Sequence, residues 1–126
     1  MNGSKLFVDT NICIYLLNDD QVVADLLNGY SIYISFITEI ELCAYHSNNP
    51  LAKKILDSFI EAVTVVDINN DIKRKTVEIR RDFKLKLPDS IIAASALVEN
   101  ISFITADKGF RKVPELAIVL YDPPVK

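Results

Sequence analysis

The sequence contains little glycine, cysteine and histidine, and each scarcity excludes a class of site. Three glycines, Gly3, Gly29 and Gly109, cannot build a glycine-rich phosphate-binding loop, which excludes dinucleotide-binding and P-loop folds. The two cysteines lie in apolar runs without CxxC spacing or a Cys/His cluster, which argues against a structural zinc site and a disulfide framework. With one histidine and no Gly-x-Ser-x-Gly turn, the chain offers no obvious protein nucleophile.

The chain also lacks an excess of positive charge and long hydrophobic segments. A formal net charge of −3 argues against a protein that coats duplex DNA. No run of 18 apolar residues occurs, so no membrane span is expected. The first residues lack the features of a signal peptide, so the expected location is the cytoplasm. A chain of 126 residues, half of them hydrophobic and a quarter charged, predicts one globular domain over residues 1–126.

Strand-like and helix-like segments alternate along the sequence. Strands are predicted at residues 6–8, 32–37, 63–66, 101–104 and 117–121. Helices are predicted after Asp9, after Asp20, at 38–45, from Pro50 with a buried stripe of Ile55, Leu56, Phe59 and Ile60, at 70–84, and at 90–99. This alternation predicts an α/β sandwich with a mostly parallel central sheet.

Four acidic residues lie next to the ends of these elements. Asp9 follows the first strand, Glu41 lies in the first turn of the helix after the second strand, and Asp107 follows strand 101–104. Because the carboxyl ends of parallel strands share one edge of the sheet, these three side chains are expected to approach each other. Asp89 begins the helix that leads into strand 101–104, and it joins them if that helix starts at the same edge.

Each acid also has a purely structural explanation. Asp9, Asp89 and Asp107 are suited to cap helices, and Thr38-x-x-Glu41 matches a capping box. As a group, however, three or four carboxylates within about 4–6 Å repel each other unless a cation neutralises them. A hard divalent ion, Mg²⁺ or Mn²⁺, is the natural partner of such oxygen ligands, and carboxylate-held ions of this kind usually act on phosphates.

The predicted helix 70–84 sorts its charges by sign. One sector of the helix is apolar and is expected to face the core. The neighbouring sector is basic and contains Lys73, Arg74, Arg80, Arg81 and Lys84, and Lys86 continues it. Such a row of cations can hold an RNA phosphate backbone, and it can equally be a solvated helix face.

Four motifs, taken together, resemble the PIN-domain family, and especially its VapC-type ribonuclease toxins. They are Phe-Val-Asp9-Thr-Asn-Ile, Ser-Phe-Ile-Thr-Glu-Ile-Glu41-Leu, Leu-Pro-Asp89-Ser-Ile-Ile-Ala-Ala and Thr105-Ala-Asp107-Lys-Gly-Phe110. The resemblance covers nearly the whole chain. It implies a three-layer α/β/α sandwich and a Mg²⁺- or Mn²⁺-dependent endoribonuclease.

The resemblance also implies roles for single residues and a set of partners. Asn11 would form hydrogen bonds within the site, and Thr105 would orient a carboxylate or a bound water. The family's toxins commonly form homodimers and are silenced by a small antitoxin protein whose C-terminal segment enters the acidic cleft. The implied partners are therefore RNA, an antitoxin and a second copy of the chain. One or two metal ions would be held by Asp9, Glu41, Asp89 and Asp107.

Three alternative functions remain open at this point. A PIN nuclease that processes RNA without being a toxin would carry the same residues. A receiver-type signalling domain has a similar length but needs an acidic pair after its first strand, where Asp9 stands alone. A catalytically silent binding module is the third alternative, because this chain has Gly109 where many PIN domains carry a further acid.

Overall fold

A five-stranded sheet forms the centre of the computed structural model, which describes residues 4–45 and 49–123. The order across the sheet is β3-β2-β1-β4-β5, and every pairing between neighbouring strands is parallel. The strands β2 and β3 are added on one side of β1, and β4 and β5 are added later on its other side. The order therefore reverses between β1 and β4, where ligands bind in open α/β sheets. The strands are β1 Lys5–Val8, β2 Ser31–Ser35, β3 Thr64–Val66, β4 Phe103–Thr105 and β5 Ile118–Leu120.

Six α-helices connect the strands in the part of the chain that the structure describes. Several begin where a side chain accepts a hydrogen bond from the first turn, as Asp20, Asn49 and Asn69 do. No described helix has the length and apolar character that crossing a membrane requires. The helices are α1 Thr10–Leu17, α2 Gln21–Leu27, α3 Phe36–Tyr45, α4 Pro50–Ala62, α5 Asn70–Phe83 and α6 Leu87–Glu99, and a 3-10 helix follows at Lys108–Lys112.

Two hydrophobic cores lie on opposite faces of the sheet. Successive side chains of a strand point to opposite faces, so Leu6 and Val8 of β1 pack with α1, α2, α3 and α4. Phe7 points the other way and packs with α5, α6 and the ring of Phe103. Helices therefore cover both faces, which confirms the predicted three-layer α/β/α sandwich and its parallel sheet.

The second strand is shorter than the sequence predicts. The predicted strand 32–37 ends in the structure at Ser35, and Phe36 and Ile37 belong to α3. The hydroxyl of Ser35 accepts a 3.0 Å hydrogen bond from the amide of Ile37 and satisfies an N–H that the new helix leaves free. Because α3 begins before Thr38, the predicted capping box of Thr38 and Glu41 is wrong.

Two other details of the helices differ from the sequence predictions. Helix α6 begins at Leu87, so Asp89 lies within its first turn and is not its N-cap. On α4 the predicted buried stripe is too wide, because Leu56 is buried whereas Ile55 is 50% exposed. The first difference concerns the end of a helix, where local patterns define position least well.

Candidate active site

Asp9 occupies the carboxyl end of β1, at the reversal of the strand order. Its side chain is buried, and both carboxylate oxygens accept hydrogen bonds. Oδ1 accepts from the amide of Thr10 at 2.9 Å, so Asp9 does cap α1 as its structural explanation requires. Oδ2 accepts from the hydroxyl of Thr105 at 2.6 Å. The residue thus has a capping role and a second bond, to the end of the neighbouring strand.

The environment of Asp9 makes its negative charge costly. The pKa of this carboxyl group is raised to about 6, mainly by burial and to a smaller extent by the charges of Asp89 and Asp107. The hydrogen bonds from Thr105 and Thr10 act in the opposite direction and lower the pKa. A buried carboxylate beside other carboxylates is a group that a cation would stabilise.

Thr105 connects two of the four acids through one hydroxyl group. It ends β4, donates its proton to Asp9 and accepts a 3.0 Å hydrogen bond from the amide of Asp107. The carboxylate of Asp107 in turn accepts a 2.8 Å hydrogen bond from the amide of Gly109. A Cβ at position 109 would lie 3.0 Å from Oδ1 of Asp107, so glycine permits this close approach. Asp107 is therefore also the cap of the 3-10 helix.

Two threonine hydroxyls place Glu41 on the other side of Asp9. Thr10 Oγ1 donates a 2.6 Å hydrogen bond to Glu41 Oε1 and lies 2.9 Å from Thr38 Oγ1. Because Thr10 has a single hydroxyl proton and gives it to Glu41, Thr38 is the donor to Thr10. This chain of bonds joins α1 to α3 beside the carboxyl edge. Thr10 was not predicted from the sequence. The pattern that could have identified it is a hydroxyl residue directly after Asp9.

Asp89 completes the group from the first turn of α6. Helix α6 precedes β4, so it must return to the start of that strand, and its own first turn therefore lies at the carboxyl edge. Partial burial raises the pKa of Asp89, as do the charges of Asp107 and Glu41, while Lys86 lowers it. Together with the charges that act on Asp9, these interactions show that the four acids lie at one edge of the sheet.

The carboxylates do not form a ready-made ligand cluster. Among residues 4–45 and 49–123, no group of three or more His, Cys, Asp or Glu side chains is placed to hold a metal ion. Asp9, Glu41 and Asp107 instead direct oxygens to protein donors. The donor set still fits a hard divalent ion, because it contains only carboxylate oxygens and because Asp9 is buried among other negative charges.

The remaining predicted residues lie on α1, on α5 and in the turn that follows α5. Asn11, the second residue of α1, is exposed, and its side chain forms no hydrogen bond to another described residue, so its role stays a prediction. The side chain of Arg74 pairs with Asp71 within α5. The charge of Lys86 acts on Asp89. A groove at the C-terminal end of α5 is lined by Arg80, Arg81 and the C-cap residue Lys84. Lys73 and Arg74 are not among its lining residues.

Comparisons with known proteins agree with this fold. The PIN-domain sequence pattern matches residues 6–116, whereas no curated protein matches the chain. A toxin-antitoxin complex from Klebsiella pneumoniae contains a chain with 30% identity and a TM-score of 0.80, covering 92% of this chain and 96% of that one. VapBC-1 from nontypeable Haemophilus influenzae gives 28% identity and a TM-score of 0.75, covering 91% and 96%.

A third similar structure supports the fold alone. VapBC2 from Rickettsia felis, solved with a fragment of promoter DNA, shares 24% identity with a TM-score of 0.82, covering 93% of this chain and 98% of that one. The parallel five-stranded sheet, the acids at its carboxyl edge and the match over residues 6–116 lead to one assignment. The chain belongs to the PIN-domain family.

Proposed function

We propose that the chain is a divalent-metal-dependent endoribonuclease that hydrolyses RNA phosphodiester bonds, and that it is the toxin of a toxin–antitoxin pair. The observation that carries this proposal is the placement of four acids from separate elements at the carboxyl edge of the sheet. The membership in the PIN-domain family supports it. So do the similar structures, which include a toxin–antitoxin complex.

The acids supply the oxygen ligands for one or two Mg²⁺ or Mn²⁺ ions. These ligands are Asp9, Glu41, Asp89 and Asp107. An ion bound there stabilises negative charge on phosphoryl oxygens and lowers the pKa of water. This chemistry requires no protein nucleophile, in agreement with a sequence that has no obvious candidate for one.

The neighbouring residues keep the acids in their working state. Thr105 donates to Asp9 and lowers the pKa of that carboxyl group against the effect of burial, so it favours the ionised form that binds cations. Thr10 holds one oxygen of Glu41 in a fixed direction and leaves the other free to bind. Asn11, exposed beside Asp9, is proposed to hydrogen-bond to groups bound in the site.

The partners follow from the family resemblance and from charge. Basic residues of α5 would bind RNA phosphates. The net charge of −3 argues against a protein that coats duplex DNA by nonspecific binding. We propose that a cognate antitoxin closes the acidic cleft with a cationic C-terminal segment, that the chain forms a homodimer, and that it acts in the cytoplasm.

Cleavage of a defined labelled RNA tests the proposed activity directly. Wild type is expected to cleave in Mg²⁺ or Mn²⁺ and not in EDTA, and Asp9→Asn and Asp89→Asn are expected to lose at least about a hundredfold in rate. Glu99→Gln is the matched control, because Glu99 is exposed at the far end of α6. Cleavage by Asp9→Asn at the wild-type rate, or cleavage in EDTA, would refute the metal-site assignment.

A further inference from the structure

A groove with basic and apolar walls opens beside the carboxylate edge. Its volume is about 590 Å³, which lies in the range of small-ligand sites. We call it the α5 groove, because all but one of its lining residues belong to α5 or to its C-cap. The lining residues are Thr76, Val77, Arg80, Arg81, Lys84 and Leu87.

The α5 groove is positively charged although the whole chain is negative. Three of the six described residues that line it are cationic and none is acidic. Arg80 is held in place, since its Nη1 donates a 2.9 Å hydrogen bond to the carbonyl oxygen of Leu85 in the turn between α5 and α6. Arg81 contacts Asp82 only at the exposed surface, where such a pair is weak. The lining therefore attracts an anionic ligand.

Two large aliphatic side chains are exposed in the same groove. Val77 is 60% exposed and Leu87 is 52% exposed, although both are apolar. A ligand that covers them removes apolar surface from water and gains about 25 cal/mol for each Å². The α5 groove thus suits a ligand that combines negative charge with flat or apolar surface, as a nucleotide does with its phosphate, ribose and base.

The α5 groove and the acidic site share the first turn of α6. Leu87 begins α6 and Asp89 lies two positions later, about 3 Å along the helix axis and about 200° around it, so the two side chains lie on different sides of this turn. Lys86, directly before Leu87, adds a further positive charge at the start of this turn. A polymer with a phosphate at the carboxylates would therefore reach the groove by passing around the first turn of α6, a path of about 10 Å set by the helix diameter.

We propose that the α5 groove is a nucleotide subsite for single-stranded RNA, in which Arg81 and Lys84 bind a phosphate and Leu87 and Val77 contact the ribose or base. This inference rests on the proposed function, because it continues the RNA path from the scissile phosphate. An acidic peptide is the competing occupant. RNA is favoured because it is the proposed substrate of the neighbouring acidic site and because the groove places apolar side chains beside its cations. Single-stranded RNA exposes its bases to such contacts, and duplex RNA does not.

Binding of a short fluorescein-labelled single-stranded RNA in EDTA tests the subsite without cleavage. The double variant Arg81→Gln/Lys84→Gln is expected to bind about tenfold more weakly than wild type. The slope of log K against log salt between about 50 and 200 mM should become less steep by about 0.7, for the one phosphate that loses its contacts. Leu87→Ala is expected to weaken binding about threefold without changing the slope, since it removes apolar contact and no charge.

The matched control removes two charges from a different layer of the molecule. Lys53→Gln/Lys54→Gln changes two exposed lysines of α4, on the other face of the sheet, and should bind RNA within about twofold of wild type. Unchanged thermal unfolding of each variant shows that it is folded. An equal loss in both double variants would mean nonspecific attraction and would overturn the subsite.

Two further measurements separate this inference from the proposed function. If wild type cleaves RNA in Mn²⁺, Arg81→Gln/Lys84→Gln should raise KM with kcat within about twofold. If wild type does not cleave, the proposed function fails while the binding experiment still decides the subsite. A groove variant that binds RNA normally but no longer binds a labelled acidic peptide would assign the α5 groove to a protein partner and overturn the proposal.

Discussion

The hydroxyl of Thr105 donates a 2.6 Å hydrogen bond to Oδ2 of Asp9, across 96 positions of the sequence. The bond joins the ends of β4 and β1, the two strands between which the strand order reverses. It also opposes burial, because it lowers the pKa of a carboxyl group that burial raises to about 6. The same hydroxyl therefore ties the sheet edge together and favours the charged form of a candidate metal ligand.

Thr105→Val should destabilise the protein and do so most at alkaline pH. Valine keeps the shape but leaves Asp9 without one donor and the amide of Asp107 without its acceptor, at a cost of about 1–3 kcal/mol. The cost should be larger at pH 8, where Asp9 is ionised, than at pH 4. Urea unfolding at both pH values measures it. Thr105→Ser, which keeps the hydroxyl, should stay within about 1 kcal/mol of wild type, and an equal loss in both variants would contradict this role.

The loss of stability with rising pH that Asp9 causes should disappear when Asp9 is replaced. The folded pKa of about 6 exceeds the ordinary value of 3.8, so between these values the folded state keeps a proton that the unfolded state has released. This retained proton stabilises the folded state, and the stabilisation is complete below pH 3.8. It is lost as pH rises through 6, by about 3 kcal/mol in total. In Asp9→Asn this loss disappears, at the expense of about 1 kcal/mol for an imperfect hydrogen bond.

Asp9→Asn is consequently expected to be about 2 kcal/mol more stable than wild type at pH 8 in EDTA. At pH 4 the two should be equal, or the variant slightly less stable. Urea unfolding across this range measures the difference, with Glu99→Gln as the control that should follow wild type. If Asp9→Asn were less stable than wild type at pH 8, Asp9 would not carry a costly buried charge.

The fold could be predicted because its signals are local. Apolar strands alternate with amphipathic helices, and this pattern defines the class whether or not each boundary is correct. The boundary at Phe36 and Ile37 was not predicted, because aromatic and β-branched residues favour strands and here tertiary packing places them in a helix. Local propensity was overridden where β2 leads directly into α3.

The acids of the site could be predicted from their places at element ends, but the bonds that position them could not. Glu41 was given a partner in its own helix, the capping box of Thr38, whereas the structure gives it the hydroxyl of Thr10 from α1. The contact joins residues 31 positions apart and depends on how two helices cross. Sequence spacing carries no information about that crossing.

Neighbouring residues of α4 provide a direct test of which positions form the core. Leu56→Ala should cost about 2–4 kcal/mol, because Leu56 is buried and its truncation leaves a cavity. Ile55→Ala should cost less than about 1 kcal/mol, because half of that side chain is in water. Urea unfolding of the two variants compares them. Equal losses would show that Ile55 is covered in solution and would restore the wider stripe that the sequence predicts.

Binding of Mn²⁺ should stabilise the folded protein through the four acids, independently of any cleavage. An ion at about one hundred times its dissociation constant adds about 2.7 kcal/mol, which corresponds to a rise in Tm of about 10 °C for a chain of this size. Thermal unfolding at pH 7.5 should show this rise for wild type and Glu99→Gln, and not for Asp9→Asn or Asp89→Asn. At pH 5 the rise should shrink, because protons compete for a carboxylate whose pKa is about 6. A rise of the same size in Asp9→Asn would show that the ion binds elsewhere on the protein. The assignment of a metal site to the edge between β1 and β4 would then be wrong.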